Sequence, residues 1–132
     1  MAAKVSVDEM NRIMRDEVPM AGNLGILFES IEDGRATARL PFREDFLRPG
    51  GTVTGPAMMA MADVVMFAAV LSRIGPVKLA VTTSLNANFL RRPQPGDLLA
   101  DGRLMKCGRR LAYGEVTVVS AESPDDPVCH VT

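Results

Sequence analysis

The chain has 132 residues, 47% of them hydrophobic and 5% aromatic with no tryptophan, which suffices for one domain with a real core but not for two. A formal net charge of −1 and a pI near 5.8 exclude a nucleic-acid binder that works by broad phosphate neutralisation. The single histidine, His130, excludes His-rich zinc sites and argues against a Ser-His-Asp triad, and no metal-ligand cluster is visible.

Two cysteines, Cys107 and Cys129, with no secretory signal ahead of them, point to a reducing, cytoplasmic setting and call for no disulfide. Ser6 and Glu9 have the spacing of a capping box, with Met10, Ile13 and Met14 following at helical intervals. Pro19 is expected to end this N-terminal helix (residues 1–20), whose expected job is to lid one edge of the domain. Leu24 to Ile31 and Ala36 to Phe42 read as two strands joined around Asp33-Gly34. From Arg43 to Thr54 the chain is polar and turn-rich.

A glycine-rich turn, Gly50 to Pro56, then feeds the run Ala57 to Leu71, which is apolar on every side except for Asp63. Pro56 suits a first helical turn, and Gly75-Pro76 ends the helix, predicted over 55–74. The apolar run is shorter than the ~20 residues that cross a bilayer and carries a carboxylate at its middle, so it reads as a buried central helix. An unpaired buried carboxylate costs several kcal/mol, so Asp63 is either bonded for structure or used in chemistry. Backbone N–H groups near Gly55, at the positive end of the same helix, favour the second reading. Met58, Met59, Met61 and Met66 are core residues or the walls of an adaptable pocket.

Beyond the helix, Leu79 to Leu90, Leu98 to Lys106 and Leu111 to Ala121 read as strands with short turns between them. Ser123 to Pro127 reads as a surface loop, and Val128 to Thr132 opens one more strand, whose late start suggests a continuation past Thr132. Short connections imply antiparallel pairing. The fold class is therefore α+β, an antiparallel sheet wrapped around a long central hydrophobic helix.

The Gly51-x-Val53-x-Gly55 turn, which opens an apolar helix with an acid eight residues on, resembles the hotdog-fold thioesterases, in particular their PaaI-type (phenylacetate-degradation) branch. The stretch Asn86-Ala87-Asn88-Phe89-Leu90-Arg91-Arg92-Pro93, the Gly96-Asp97 turn and Gly108-Arg109-Arg110 are similar to that family's later strands and turns. The likeness runs from about Leu24 to Thr132. It implies hydrolysis of an acyl-CoA thioester to free acid and coenzyme A. The Gly55 N–H would polarise the carbonyl, and Asp63 of the partner subunit would act as general base or nucleophile. Eight helical residues separate the two by roughly 12 Å, too far to serve one carbonyl from a single helix, so an obligate homodimer with two shared sites is expected. A dimer of dimers is equally compatible.

This chain departs from the family pattern in having Thr54-Gly55-Pro56 where histidine and two glycines are usual. The Thr54 hydroxyl replaces the histidine only in part, and Pro56 removes one N–H. Arg48 lies near the place of a frequent asparagine. Thr82 or Thr83 is expected to supply a hydroxyl that orients water or the acid. Arg91, Arg92 and Arg109, with Arg110, are candidates for the coenzyme A phosphates, although each alone is as consistent with a solvated turn. No cofactor beyond coenzyme A as part of the substrate is implied, nor a nucleic-acid or membrane partner. The alternative reading, supported by the missing histidine and second glycine, is a non-catalytic hotdog module that binds acyl-CoA.

Overall fold

In the computed structural model, which describes residues 2–132, helix α1 spans Val7–Glu17. The capping box forms: Ser6 Oγ accepts from the Glu9 N–H at 3.1 Å, and the Glu9 carboxylate accepts from the Ser6 N–H at 3.2 Å. Two otherwise orphaned donors are thereby satisfied. Pro19 does more than end α1. It is the first residue of a second short helix, α2 (Pro19–Leu24), where its missing N–H would have had no partner anyway. Leu24 is therefore helical rather than the start of a strand. Gly25, at φ 86°, closes α2 in the left-handed conformation that turns the chain into the sheet.

Strands β1 (Leu27–Glu32) and β2 (Arg35–Leu40) make the hairpin expected around Asp33-Gly34. Asn11 of α1 serves the outer edge of β1, where its Oδ1 accepts from the Phe28 N–H at 2.8 Å. Its amide donates to the Phe28 carbonyl at 3.4 Å. The N-terminal helix thus lids an edge that would otherwise expose pairing groups. Leu47–Arg48 (β3) and Thr52–Val53 (β4) form a miniature hairpin inside the stretch expected to be turn alone.

Helix α3 spans Gly55–Ile74, as its punctuation predicts. At 20 residues it is long and apolar enough to cross a bilayer, so length does not exclude that role. What identifies it as a core helix is the sheet laid along it. Strands β5 (Ala87–Phe89), β6 (Leu98–Cys107), β7 (Ala112–Ser120) and β8 (Ser123–Val131) join β1 and β2 in a six-stranded antiparallel sheet. Its order is β1-β2-β6-β7-β8-β5. Met58, Met61, Val65, Ala68 and Leu71 are buried between α3 and this sheet, against Ala36, Ala100, Val116 and Val118. Gly102 allows the close approach: a Cβ there would lie 2.7 Å from Val65 Cγ1.

Three expectations need correction. Ser123 to Pro127 belongs to β8 rather than to a surface loop. The β7–β8 register breaks between Val118 and Ser120, which accommodates Pro124 and Pro127 without ladder N–H groups. The strand expected over Leu79–Leu90 shrinks to Ala87–Phe89. Asn86 still exchanges two backbone hydrogen bonds with Thr132, but residues 79–85 join no strand ladder among the described residues, leaving Leu79 90% and Val81 80% exposed. Finally, α3 is not wrapped on all sides. Met59, Asp63, Phe67, Val70 and Ile74 recur at helical spacing on the face left outside the sheet.

The Gly96-Asp97 turn proves to be a clamp on the sheet. Asp97 accepts from the Phe42 N–H at 2.7 Å and from Arg39 at 2.9 Å. These two contacts, the backbone donor first, hold its carboxyl below the usual carboxylate range. A pKa depressed by folding contributes stability that is present above the unfolded value of about 3.9 and is lost as the pH falls through the folded one. Thermal melts between pH 6 and 3 are therefore expected to show an acid-induced loss of stability that is smaller in Asp97→Asn. Identical acid profiles for the two proteins would refute this role.

Candidate active site

The start of α3 is fixed by the segments on either side of it. Gly50 and Gly51, at φ 100° and 77°, make the tight β3–β4 turn, a backbone few other residues adopt. The Thr54 N–H then donates to the Phe46 carbonyl at 2.8 Å, and the Val53 N–H to the Pro93 carbonyl at 3.0 Å. Thr54 occupies the N-cap, but its side chain makes no capping hydrogen bond. Pro56 has no N–H, so Gly55 and Ala57 are the first donors of this helix end. Gly55 lies against Phe89 of β5; a Cβ on residue 55 would sit 3.2 Å from Phe89 Cζ.

A cavity of about 370 Å³ opens here, with Gly55, Met58 and Phe89 in its wall and Arg48, Arg91 and Arg92 around it. Arg91 is held by an ion pair with Asp126. Among the described residues, Arg48 and Arg92 have no carboxylate within ion-pair distance. The other arginines between residues 30 and 75, namely Arg35, Arg39, Arg43 and Arg73, are all paired.

Asp63 lies a little over two turns further along α3, half-buried, on the face left open by the sheet. It accepts a hydrogen bond from the Thr82 hydroxyl, on the segment 79–85. The Asp63 carboxylate, on the helix face shared with Met59, Phe67 and Val70, is thus held by a side chain 19 residues away. Beside it, a second cavity of about 350 Å³ is lined by Met66, Phe67 and Val70, with Thr82, Thr83, Arg109 and Tyr113 among the residues closing it. Arg109 and Arg110 stand exposed on the β6–β7 turn, also without carboxylate partners among the described residues. Gly114 makes room for Met66 against β7, where a Cβ would meet the Met66 sulfur at 2.7 Å.

The predicted residues therefore fall into two groups on one subunit. Thr54, Gly55, Arg91 and Arg92 gather at the helix start, while Asp63, Thr82, Thr83 and Arg109 gather near its middle. Gly55 and Asp63 do not meet, as their separation along one helix requires. Phe89 and Tyr113 went unremarked as site residues in the sequence. Phe89 approaches Gly55 only through the return of β5, and nothing local to either residue signals that contact. Of the four methionines, Met61 is pure core, Met58 bridges core and first cavity, Met66 lines the second, and Met59 is 38% exposed on the open face.

His130 lines neither cavity. It bonds Glu115 at 3.1 Å, and this bond, ahead of the nearby Arg103, holds the Glu115 carboxyl below its usual range. Both cysteines are free thiols. Burial pushes that of Cys129 up, whereas Cys107 sits half-buried beside the second cavity.

The chain is similar to several known proteins. A protein from Silicibacter sp. TM1040, provisionally named a thioesterase, is 37% identical and superimposes with a TM-score of 0.87, covering 99% of this chain and 90% of that one. The PaaI protein of Thermus thermophilus, in a mutant form, is 27% identical with a TM-score of 0.75, over 86% of this chain and 93% of its own. An esterase of Saccharolobus solfataricus, also provisionally named, is 29% identical over 119 residues, 90% of this chain and 78% of its own length. The fold, an antiparallel sheet around one long helix, is the hotdog fold of these neighbours. Residues 50–125, from the glycine turn through the start of β8, match the family model of the thioesterase superfamily, and the chain belongs to that superfamily.

Proposed function

We propose that this protein is a homodimeric acyl-CoA thioesterase whose two sites each combine Gly55 of one subunit with Asp63 of the other. The observation that carries the reading is the placement of Asp63. It is a carboxylate oriented by the Thr82 hydroxyl, set in an apolar helix face that the chain's own sheet does not cover. That face, together with exposed Leu79, Val81 and Phe89 and the free edge of β5, supports a second copy as its cover. Two helices meeting across a two-fold axis would bring the start of one alongside the middle of the other.

In such a site the thioester oxygen faces the Gly55 N–H, and a water between carbonyl and Asp63 gives its proton to the carboxylate as it attacks. The carbonyl π electrons move to oxygen. Collapse of the tetrahedral intermediate then breaks the C–S bond, and the departing thiolate takes the proton held by Asp63 to leave as coenzyme A, restoring the carboxylate. Attack by Asp63 itself, through a mixed anhydride, is the competing route. Arg92 and Arg109, exposed and without carboxylate partners among the described residues, suit the coenzyme A phosphates. The match to the thioesterase superfamily and the likeness to the 37% identical Silicibacter protein support the reaction class.

The uncapped Thr54 and the N–H lost at Pro56 favour one rival, a module that binds acyl-CoA without cleaving it. Thiol release measured on short-chain, medium-chain and aryl acyl-CoA thioesters separates the two. Turnover on at least one of them is expected. Saturable binding with no release from any would leave the binding module.

A further inference from the structure

We infer that Arg48 is a catalytic residue of this site, supplying to the developing oxyanion a full positive charge that the backbone N–H groups of Gly55 and Ala57 do not carry. This deepens the thioesterase reading and rests on it. Three features single Arg48 out. It shares the cavity at the start of α3 with Gly55. Its guanidinium has no carboxylate within ion-pair distance among the described residues, whereas Arg91 in the same cavity is committed to Asp126. Its backbone is also tied to the helix start at close range. Arg48 pairs with Thr52 in the β3–β4 ladder and accepts the Gly51 N–H at 3.0 Å, and two residues later Thr54 is bonded back to Phe46.

The need for such a charge is local. A tetrahedral intermediate places a full negative charge on what had been the carbonyl oxygen, and preorganised donors aimed at that oxygen are the largest single source of rate in acyl transfer. Pro56 removes the donor next to Gly55, and Thr54 does not extend its hydroxyl to the helix end. A guanidinium offers several N–H groups and stays charged at every working pH. Arg92 lies on the strand-end segment between Phe89 and Pro93 and lines the same cavity. It suits the phosphates, whose binding belongs to ground state and transition state alike. Arg48 and Arg92 should therefore differ in kind: losing Arg48 lowers kcat, and losing Arg92 raises KM.

The test is steady-state acyl-CoA hydrolysis by wild type, Arg48→Met, Arg48→Lys and Arg92→Met. Affinity for a non-hydrolysable CoA thioether is measured in parallel. The expected result is a kcat roughly 100-fold lower in Arg48→Met, the scale of losing one oxyanion donor, with thioether affinity within about twofold of wild type, as for an interaction made only in the transition state. Arg48→Lys, which keeps the charge, should recover part of the loss. Because Arg48 is exposed on a hairpin, unchanged melting temperatures are expected, and loss of kcat in a protein that melts normally cannot be misfolding. A normal kcat with a raised KM in Arg48→Met would overturn the inference and make Arg48 a phosphate ligand. A wild type that turns over while Arg48→Met matches it would overturn the inference and leave the thioesterase reading intact. No turnover by wild type on any thioester would overturn both.

Discussion

Asp63→Asn is expected to lower kcat for acyl-CoA hydrolysis by roughly 10²–10⁴-fold, the range for losing a positioned general base, while leaving acyl-CoA affinity nearly unchanged. Asparagine is isosteric and can still accept from the Thr82 hydroxyl, so the local hydrogen bond survives and only proton acceptance is lost. The companion variant Thr82→Val isolates the orienting role. It keeps the carboxylate but frees it to rotate, and a smaller loss, on the order of 10-fold, is expected as for a geometric misplacement. The measurement is single-turnover and steady-state thiol release, with thioether binding as the control. Undiminished turnover in Asp63→Asn would sink the assignment. A drop in affinity equal to the drop in kcat/KM would instead make Asp63 a substrate-binding residue.

What the sequence revealed and what it hid divide along a physical line. The bounds of α3 were legible because the signals are local: a glycine turn, Pro56 at the first turn and Gly75-Pro76 at the end act on their own neighbourhood. The capping box of α1 was legible for the same reason. Pro19 misled because a proline that cannot continue one helix is well suited to begin another. Pro124 and Pro127 misled because a bulged ladder tolerates residues that a regular one would reject.

The segment 79–90 is the most informative miss. Its alternating, β-branched residues carry the pattern of a strand, yet among the described residues only Asn86 to Leu90 bond to a neighbouring strand within the chain. A pattern that demands a strand and a chain that offers no partner are reconciled when the partner is another chain. The same holds for α3, apolar all round yet covered on one face. Under the proposed dimer, the second copy covers both surfaces. The two halves of the candidate site stand apart on a single subunit, as a site shared between subunits would require, whereas the Gly55–Phe89 contact was hidden because it depends on how far β5 returns across the fold.

Mixing two inactive variants is expected to restore activity, and this is the sharpest consequence of a site shared between subunits. Gly55→Val places a branched side chain against the Phe89 ring, where even a Cβ would approach to 3.2 Å, and fills the space the thioester carbonyl must occupy. Its homodimer should be at least ~100-fold impaired, as for loss of an oxyanion site. Asp63→Asn is impaired for a different reason. In a heterodimer of the two, one site takes Gly55 from the Asp63→Asn chain and Asp63 from the Gly55→Val chain and is fully wild type, while the other carries both defects. Random reassociation of equal amounts makes half the dimers heterodimers, each with one good site of two, so about a quarter of wild-type activity should return under two-fold symmetry. Denaturing and refolding the variants together, against each refolded alone, provides the comparison, with size-exclusion chromatography confirming equal oligomeric state. If Gly55 and Asp63 acted within one chain, every site in the mixture would carry one defect or the other and no activity would return. Recovery near a quarter therefore assigns the two groups to different subunits, whichever route Asp63 takes as base or nucleophile.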